Sequence, residues 1–371
     1  MKIPYLIILL AVFLLGSCDI MDDEACSDQP SPMAAPVQVG FTLTTGNVAS
    51  RAITEGTETG TGLDNYIDIE GNDFRILFFD AGDDTYLTTF TPTRIYRTGD
   101  DELTYHVEGE LEEAYTEFKL VVLANWGKDN YREDLEQGKT KIGDICDAVY
   151  SYKGDTDLMI PMYGVHTYND IEWRAGLLTE LPDEVDLLRA MAKIEVKCSA
   201  DGFKLNGVTL HRYNTTGYCA PTGIVCDTQK EWDNPADEVE VCKHTVHIPD
   251  GAQKGTELPF TPQGDSYIAY VPEFENKGAV DKSYISVSLV HENGASVFLD
   301  DSTIIFCEYN GGGTPVEGTD FDIVRNHWYT YDITQVNDGK EVEFRICVIP
   351  WGTKEITIPD FGVWPINKEQ L

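Results

Sequence analysis

Leu188-Arg189-Ala190-Met191-Ala192-Lys193-Ile194-Glu195-Val196-Lys197-Cys198 is the stretch on which the reading of this chain turns. Ala192, Ile194, Val196 and Cys198 alternate with Lys193, Glu195 and Lys197, and a period of two puts the apolar set on one face of a strand. A Pro182-Asp183-Glu184 turn and a short apolar stretch from Leu187 precede it, which makes this the seam of the chain. The boundary between two domains is placed near Arg189, giving 37–188 and 189–371.

The flanks obey the same grammar. Toward the N-terminus, Val37, Val39, Phe41 and Leu43 alternate with Gln38, Gly40, Thr42 and Thr44. Phe74 to Phe79 runs into an Asp80-Ala81-Gly82-Asp83-Asp84 turn and on to Tyr86-Leu87; Leu103 to Val107 follows. Phe118 to Ala124, apolar but for Lys119, has the character of a strand at the centre of a sheet. Asp129 to Tyr152 differs: Ile142, Ile145, Val149 and Tyr152 recur at spacings of three and four, which predicts one or two short helices. Beyond the seam come Val208 to Leu210, Tyr267 to Val271, Ile285/Val287/Leu289, Ser296 to Leu299, Ile304 to Cys307, Tyr329/Tyr331/Ile333 and Val342/Phe344/Ile346/Val348. Many short alternating strands between turn signals predict an all-β chain of β-sandwiches with a few short helices. Phe41, Phe78, Val122, Ile194, Val287 and Ile346 are expected to face inward in two separate sandwiches.

Composition narrows the function. The chain has 371 residues, long enough for two cores, and its 42% hydrophobic and 11% aromatic content is that of a folded protein. Sixty-four acidic against 27 basic residues give a formal charge of −37, a surface that repels phosphate backbones and excludes nucleic acid as a partner.

The N-terminus reads as an export signal. Lys2 precedes an apolar run from Ile3 to Leu15, too short to span a bilayer, and Leu15-Gly16-Ser17-Cys18 closes it with small residues before a cysteine. That ending resembles the lipobox of bacterial lipoproteins. It implies a signal peptide at 1–17 and acylation of Cys18, with two or three chains at ~0.8 kcal/mol per buried CH₂ holding the protein on a membrane. Asp19, Asp22, Asp23 and Glu24, then Gln29-Pro30-Ser31-Pro32 and Pro36, make 18–36 an acidic, proline-rich tether. Thr54 to Asp64, rich in Gly and Thr, reads as an exposed loop.

Catalytic patterns fail on inspection. Gln137-Gly138-Lys139-Thr140 mimics the end of a phosphate-binding loop, but Glu133 stands where that motif needs glycine. His291-Glu292 opens a zinc-protease pattern, and Ala295 occupies the place of its second histidine. Cys242, His244 and His247 are the best metal candidate, yet His247 would point to the opposite face of a regular strand, and the competing reading is an ordinary polar strand. No metal, cofactor or enzymatic activity is therefore expected. Cys26, Cys146, Cys198, Cys219, Cys226, Cys242, Cys307 and Cys347 remain besides Cys18; Cys219 and Cys226 could bridge a turn, and others read as buried thiols.

Several stretches share an order along the chain: the Cys18 lipobox, Ala49-Ser50-Arg51-Ala52, Arg75-Ile76-Leu77-Phe78-Phe79-Asp80, Val121-Val122-Leu123-Ala124-Asn125, Ile160-Pro161-Met162-Tyr163-Gly164, Leu188 to Ile194, Val324-Arg325-Asn326-His327-Trp328-Tyr329 and Val348-Ile349-Pro350-Trp351. Together they resemble the fimbrillins, the type V pilins of Bacteroidales. The resemblance implies two transthyretin-like β-sandwich domains and a lipoprotein of the cell outer membrane, surface-exposed in a fimbrium. Its partners would be other fimbrial subunits, in a homo- or heteropolymer, and a host or bacterial surface ligand. In stalk subunits of that family an arginine-specific protease cuts behind the first strand, which is then lost; the matching bond here is Arg51–Ala52. Val37, Val39, Phe41 and Leu43 would be the plug whose removal opens a groove for another subunit's strand. An uncut Arg51, in an anchor or tip subunit, is the competing reading. Ile356 and Ile358 alternate in a tail that could donate a strand, but Pro359 and Pro365 interrupt it. A surface glycan-binding lipoprotein is the alternative function, with Trp126, Trp173, Trp232, Trp328, Trp351 and Trp364 as candidate platforms.

Overall fold

The computed structural model describes residues 36–45, 67–69, 73–98, 104–127, 131–151, 159–220, 246, 248–295, 303–310, 314–337 and 341–350, the last ten and residue 337 by backbone alone. Several expectations lie outside the described residues. They are the signal and Cys18, the tether to Ala35, Arg51 and Ala52, the loop from Thr54 to Asp64, the Cys242/His244/His247 group, Cys226, the 296–299 strand, Trp232, Trp351, Trp364 and the tail.

In chain order the first half places β1 (Val37–Thr44), β2 (Phe74–Asp80), β3 (Tyr86–Phe90), β4 (Pro92–Arg97), β5 (Thr104–Leu111), β6 (Phe118–Ala124), α1 (Ile142–Cys146), β7 (Val149–Ser151), β8 (Met162–Tyr168), β9 (Leu178–Glu180), β10 (Val185–Asp186) and β11 (Leu188–Arg189). One sheet runs β10-β1-β5-β4 with β9 also on β1, and another runs β11-β8-β6-β2-β3. The two lie face to face. Val37, Val39, Phe41, Leu43, Tyr105 and Val107 of the first share one core with Ile76, Phe78, Leu120, Val122 and Met162 of the second. β6 is central between β2 and β8, and all seven of its residues are buried. Its Lys119 is accommodated because Nζ reaches the Asp84 carboxylate at 2.7 Å.

At Ala190 the chain crosses from one sheet to the next. The remaining elements are β12 (Met191–Cys198), β13 (Phe203–Asn214), β14 (Thr216–Tyr218), β15 (Lys254–Pro259), β16 (Thr261–Gln263), β17 (Ser266–Pro272), β18 (Tyr284–His291), β19 (Thr303–Ile305), β20 (His327–Asn337) and β21 (Glu341–Pro350). β12, the strand of the seam, is central in β16-β17-β12-β20-β21, antiparallel to β17 and parallel to β20. Facing it is β15-β13-β18-β19, and Ala192, Ile194 and Val196 meet Val208, Leu210, Ile285, Val287 and Leu289 in a second core. That core does not stop at the second sandwich. It continues through Tyr150, Trp126 and the buried Ile142 and Ile145 of α1 onto the outer face of β2, β6 and β8, where Leu77, Phe79, Val121 and Leu123 point. Phe41, Phe78 and Val122 thus lie in one core and Ile194 and Val287 in the other, while the Ile346 side chain lies outside the description.

The expected short helix in 129–152 is present at Ile142–Cys146, while the spacing that runs on through Val149 toward Tyr152 gives way to a strand at Val149–Ser151. Only Ile142–Cys146 is helical among the described residues there, and Val149 begins a strand paired with β14. The pairing of Val149 with Tyr218 comes from a segment 69 residues away, which no local periodicity can announce. Residues 34–371 make one compact unit that holds both sandwiches.

Candidate functional site: the first strand and the groove that holds it

β1 alternates Val, Val, Phe and Leu with polar or small residues, and the fold uses that pattern in full. Val37, Val39, Phe41 and Leu43 are each at most 3% exposed. Burying four such side chains is worth ~1.5–3 kcal/mol apiece. Phe41 sets its ring 5.7 Å from that of Phe90, which in turn lies 6.1 Å from Phe78 across the core. Gly109, opposite Val39 on β5, leaves the space that the Phe90 ring fills.

The backbone of β1 is paired on both sides. β5 runs antiparallel to it over the whole strand, from Val37 opposite Leu111 to Thr44 opposite Thr104. The other side is covered in two pieces, both parallel: Gln38 to Gly40 by β9, and Leu43 and Thr44 by β10. Leu181 N donates to Gly40 O at 2.8 Å and Leu187 N to Thr44 O at 2.8 Å, closing the intervals. A strand held this way leaves two open edges when it is withdrawn.

Over the outer face of β1 passes a side-chain strap. The Glu180 carboxylate of β9 lies above Gly40, where an added Cβ would approach its Oε2 to 2.5 Å, and reaches His106 Nε2 of β5 at 3.5 Å. His106 Nε2 is also 3.8 Å from Glu108 Oε1, which accepts from Tyr96 OH at 3.1 Å. Desolvation and that carboxylate hold the Tyr96 hydroxyl above its ordinary range.

Two buried arginines finish the site, and the sequence reading assigned neither a role. Arg189 donates from Nη2 to Thr45 O at 2.7 Å, one residue past the end of β1, and from Nη1 and its own backbone N to Asn326 Oδ1 at 3.2 Å each. Arg325 donates from Nε and Nη2 to Glu273 Oε1 at 2.9 and 2.7 Å, and from Nη1 and Nη2 to the carbonyls of Cys219 and Tyr218 at 3.1 and 3.0 Å. Burial pulls the Arg325 pKa down, but the Glu273 carboxylate more than offsets this and leaves it above the ordinary value. The signal for both was present as single cations inside apolar runs, Leu188-Arg189-Ala190 and Val324-Arg325-Asn326; a buried charge must have partners.

Other sequence candidates are structural. Trp126 is buried and donates from Nε1 to Met162 O at 2.7 Å, Trp173 donates to Tyr115 O at 2.9 Å, and Trp328 is covered by Lys193 Nζ at 4.5 Å from its ring. The large hydrophobic side chains standing in solvent among the described residues are Val149, Leu177, Val280 and Val316, all aliphatic. Cys198, Cys219 and Cys307 carry free thiols, and Cys226 lies outside the described residues. Among the described residues no three His, Cys, Asp or Glu side chains are grouped to hold a metal ion.

With this geometry established, solved structures give the fold a precedent. The tip fimbrial protein Mfa3 from Porphyromonas gingivalis, in a C-terminally truncated form, matches with a TM-score of 0.51 at 13% identity, over 85% of this chain and 100% of that one. The likeness is one of fold. A candidate cell adhesion protein from Parabacteroides distasonis matches at 0.50 and 14% identity, over 87% of this chain and 99% of that one. A fimbrial assembly protein from the same species matches at 0.46 and 13% identity, over 85% and 96%. No family model matches the chain, and no curated protein is similar to it.

Proposed function

We propose that this chain is a non-catalytic, adhesive or structural subunit of surface fimbriae. On this reading it is a fimbrillin-like lipoprotein anchored to the outer membrane through Cys18, with two transthyretin-like domains, 37–188 and 189–371. It joins other subunits by strand exchange, gated by cleavage between Arg51 and Ala52. The observation that carries the reading is β1: one amphipathic strand, paired on both sides, fills the core of a sandwich whose fold a tip fimbrial protein shares. A cut in the segment after Thr45 would leave that strand held by non-covalent contacts alone, and the vacated groove would offer apolar surface worth ~25 cal/mol per Å² to an entering strand.

Limited trypsin treatment of the purified full-length protein, followed by sizing, tests this. Ladders of oligomers that vanish in Arg51→Ala support the stalk role. A cleaved body that stays monomeric, or a surface-recovered chain that still begins at Cys18, assigns an anchor or tip role. Cys18→Ala should abolish fatty-acid labelling and release the protein or stall its precursor; persistent labelling refutes the anchor.

A further inference from the structure

We propose that Glu180 is a specificity residue of the β1 groove: it favours a strand with glycine where β1 has Gly40, and so selects which segment of another subunit enters and in what register. The inference rests on the strand-exchange reading above. A slip of two residues along the groove returns every side chain to the same face, so an alternating apolar pattern alone tolerates such a slip. A glycine in the pattern does not. On the outward face Gly40 stands in one cross-strand row, between Glu180 of β9 and Glu108 of β5, with Arg94 of β4 beyond. Glu108 is engaged along β4, its Oε1 3.6 Å from Arg94 Nη1 and accepting from Tyr96 OH at 3.1 Å. Glu180 leans over the strand instead: a Cβ built on Gly40 would lie 2.5 Å from its Oε2 and 2.9 Å from its Oε1 and Cδ. From that position Oε1 reaches His106 Nε2 of β5 at 3.5 Å.

The two walls of the groove, β9 and β5, thus touch across the top of β1, and the missing side chain at residue 40 is what lets them. His106 is held for this contact by the Tyr96 ring at 5.2 Å and by Glu108 Oε1 at 3.8 Å. Neither wall belongs to β1, so the groove supplies the contact and the strand supplies the gap beneath it. A two-residue slip would bring Gln38 or Thr42 under Glu180, and either side chain would drive the carboxylate off His106. Glu180 is half-exposed and can turn aside, so the filter is graded: an intruding side chain forfeits the pair rather than being shut out. Glycine is otherwise a poor residue for a strand interior, since it loses the most conformational freedom on ordering and packs nothing. The strap accounts for its presence in a strand paired on both sides. The segment that fits is an extended stretch of another subunit reading apolar-Gly-apolar at its middle, as Val39-Gly40-Phe41 does.

The test begins with the intact full-length protein. Gly40→Ala is expected to raise the unfolding constant roughly threefold to fivefold, as for the loss of an exposed ion pair. In a Glu180→Ala background the same substitution should leave that constant unchanged or lower it, which is what replacing glycine by alanine does where nothing obstructs it. An unchanged or lowered constant with Glu180 in place would overturn the filter. A site for a sequence-specific protease is then inserted between Gly56 and Gly60, and after nicking, fluorescent peptides of residues 36–45 with Gly or Ala at position 40 are offered as replacements for β1. The glycine peptide should bind roughly threefold to fivefold tighter, and the preference should vanish or reverse in Glu180→Ala. Equal or tighter binding of the alanine peptide to the protein that keeps Glu180 would overturn the filter while leaving exchange intact. Failure of both peptides to enter would overturn the exchange reading and the selection with it. Because the peptides probe the groove with Glu180 in place, their result stands even if Gly40→Ala does not fold.

Discussion

Arg189 and Arg325 are each 1% exposed, lie in apolar runs and share the Arg325-Asn326 turn, yet they are held in opposite ways. Arg325 has a full counter-charge, Glu273, and two carbonyls, all from the body of the second sandwich. Arg189 counts among its partners the Asn326 amide oxygen and the Thr45 carbonyl, one residue past β1. A cation matched by a carboxylate is a fixture, because removing either partner leaves an uncompensated buried charge. One bonded in part to a backbone carbonyl just past a strand covered in short pieces has an acceptor that belongs to that strand's own segment. On the strand-exchange proposal, Arg325 belongs to the part that stays closed and Arg189 lies beside the part that would open.

The largest effect expected is on the fixture. Glu273→Ala should cost about 3–5 kcal/mol in urea unfolding by stranding Arg325 in the core. A loss below ~1 kcal/mol would show that the carbonyls of Tyr218 and Cys219 suffice, and the contrast would collapse. Arg189→Met should cost about 1–3 kcal/mol, since it removes the buried cation itself and leaves the Asn326 and Thr45 oxygens short of a donor. If it proves as costly as Glu273→Ala, Arg189 is a fixture too.

A titration addresses both regions. Around Arg325, burial pushes the Cys219 thiol up to about 12 and raises Tyr131; beside the groove it raises Tyr168 and pushes Tyr115 to about 12. These acids stay protonated in the fold, whereas in the unfolded chain they ionise near their ordinary values of 9.0 for Cys and 10.0 for Tyr. The unfolded state therefore binds fewer protons above pH ~9. Stability should be level with respect to these groups below that pH and fall above it, by up to ~1.4 kcal/mol per pH unit for each group. Melting temperatures measured from pH 7 to 11 that stay flat would contradict the burial of these side chains. The smallest effect belongs to the surface: Glu136→Gln, which breaks the exposed 2.5 Å pair with Lys139, should change stability by less than ~1 kcal/mol.

Long alternating strands were legible in the sequence because their own side chains decide them. β1, β2, β6, β12, β18 and β20 each carry enough apolar residues to declare a face. β9, β10 and β11 were not legible, being two or three residues long, and those that flank β1 owe their existence to the neighbour they cover. β8 escaped notice although it is interior. Its Gly164 sits where a Cβ would come within 2.6 Å of Asp186 O, so the residue that looks like a strand breaker is what lets β8 pass under the β10 segment. Of the candidate site, the inward residues of β1 were readable by pattern, and Glu180, His106, Arg189 and Asn326 were not. They meet through pairings between segments far apart in the chain, and a lone cation in an apolar run announces only that some partner exists.

The asymmetric pairing of β1 has one more consequence. Because β5 is antiparallel to it and β9 and β10 are parallel, the groove has a sense of direction. A strand laid in backwards would meet β5 in slanted parallel bonds and β9 and β10 in the antiparallel pattern, mismatching both edges at once. Any chain of molecules linked through this groove would therefore repeat head to tail, carry an arrow from one end to the other, and present two chemically different ends.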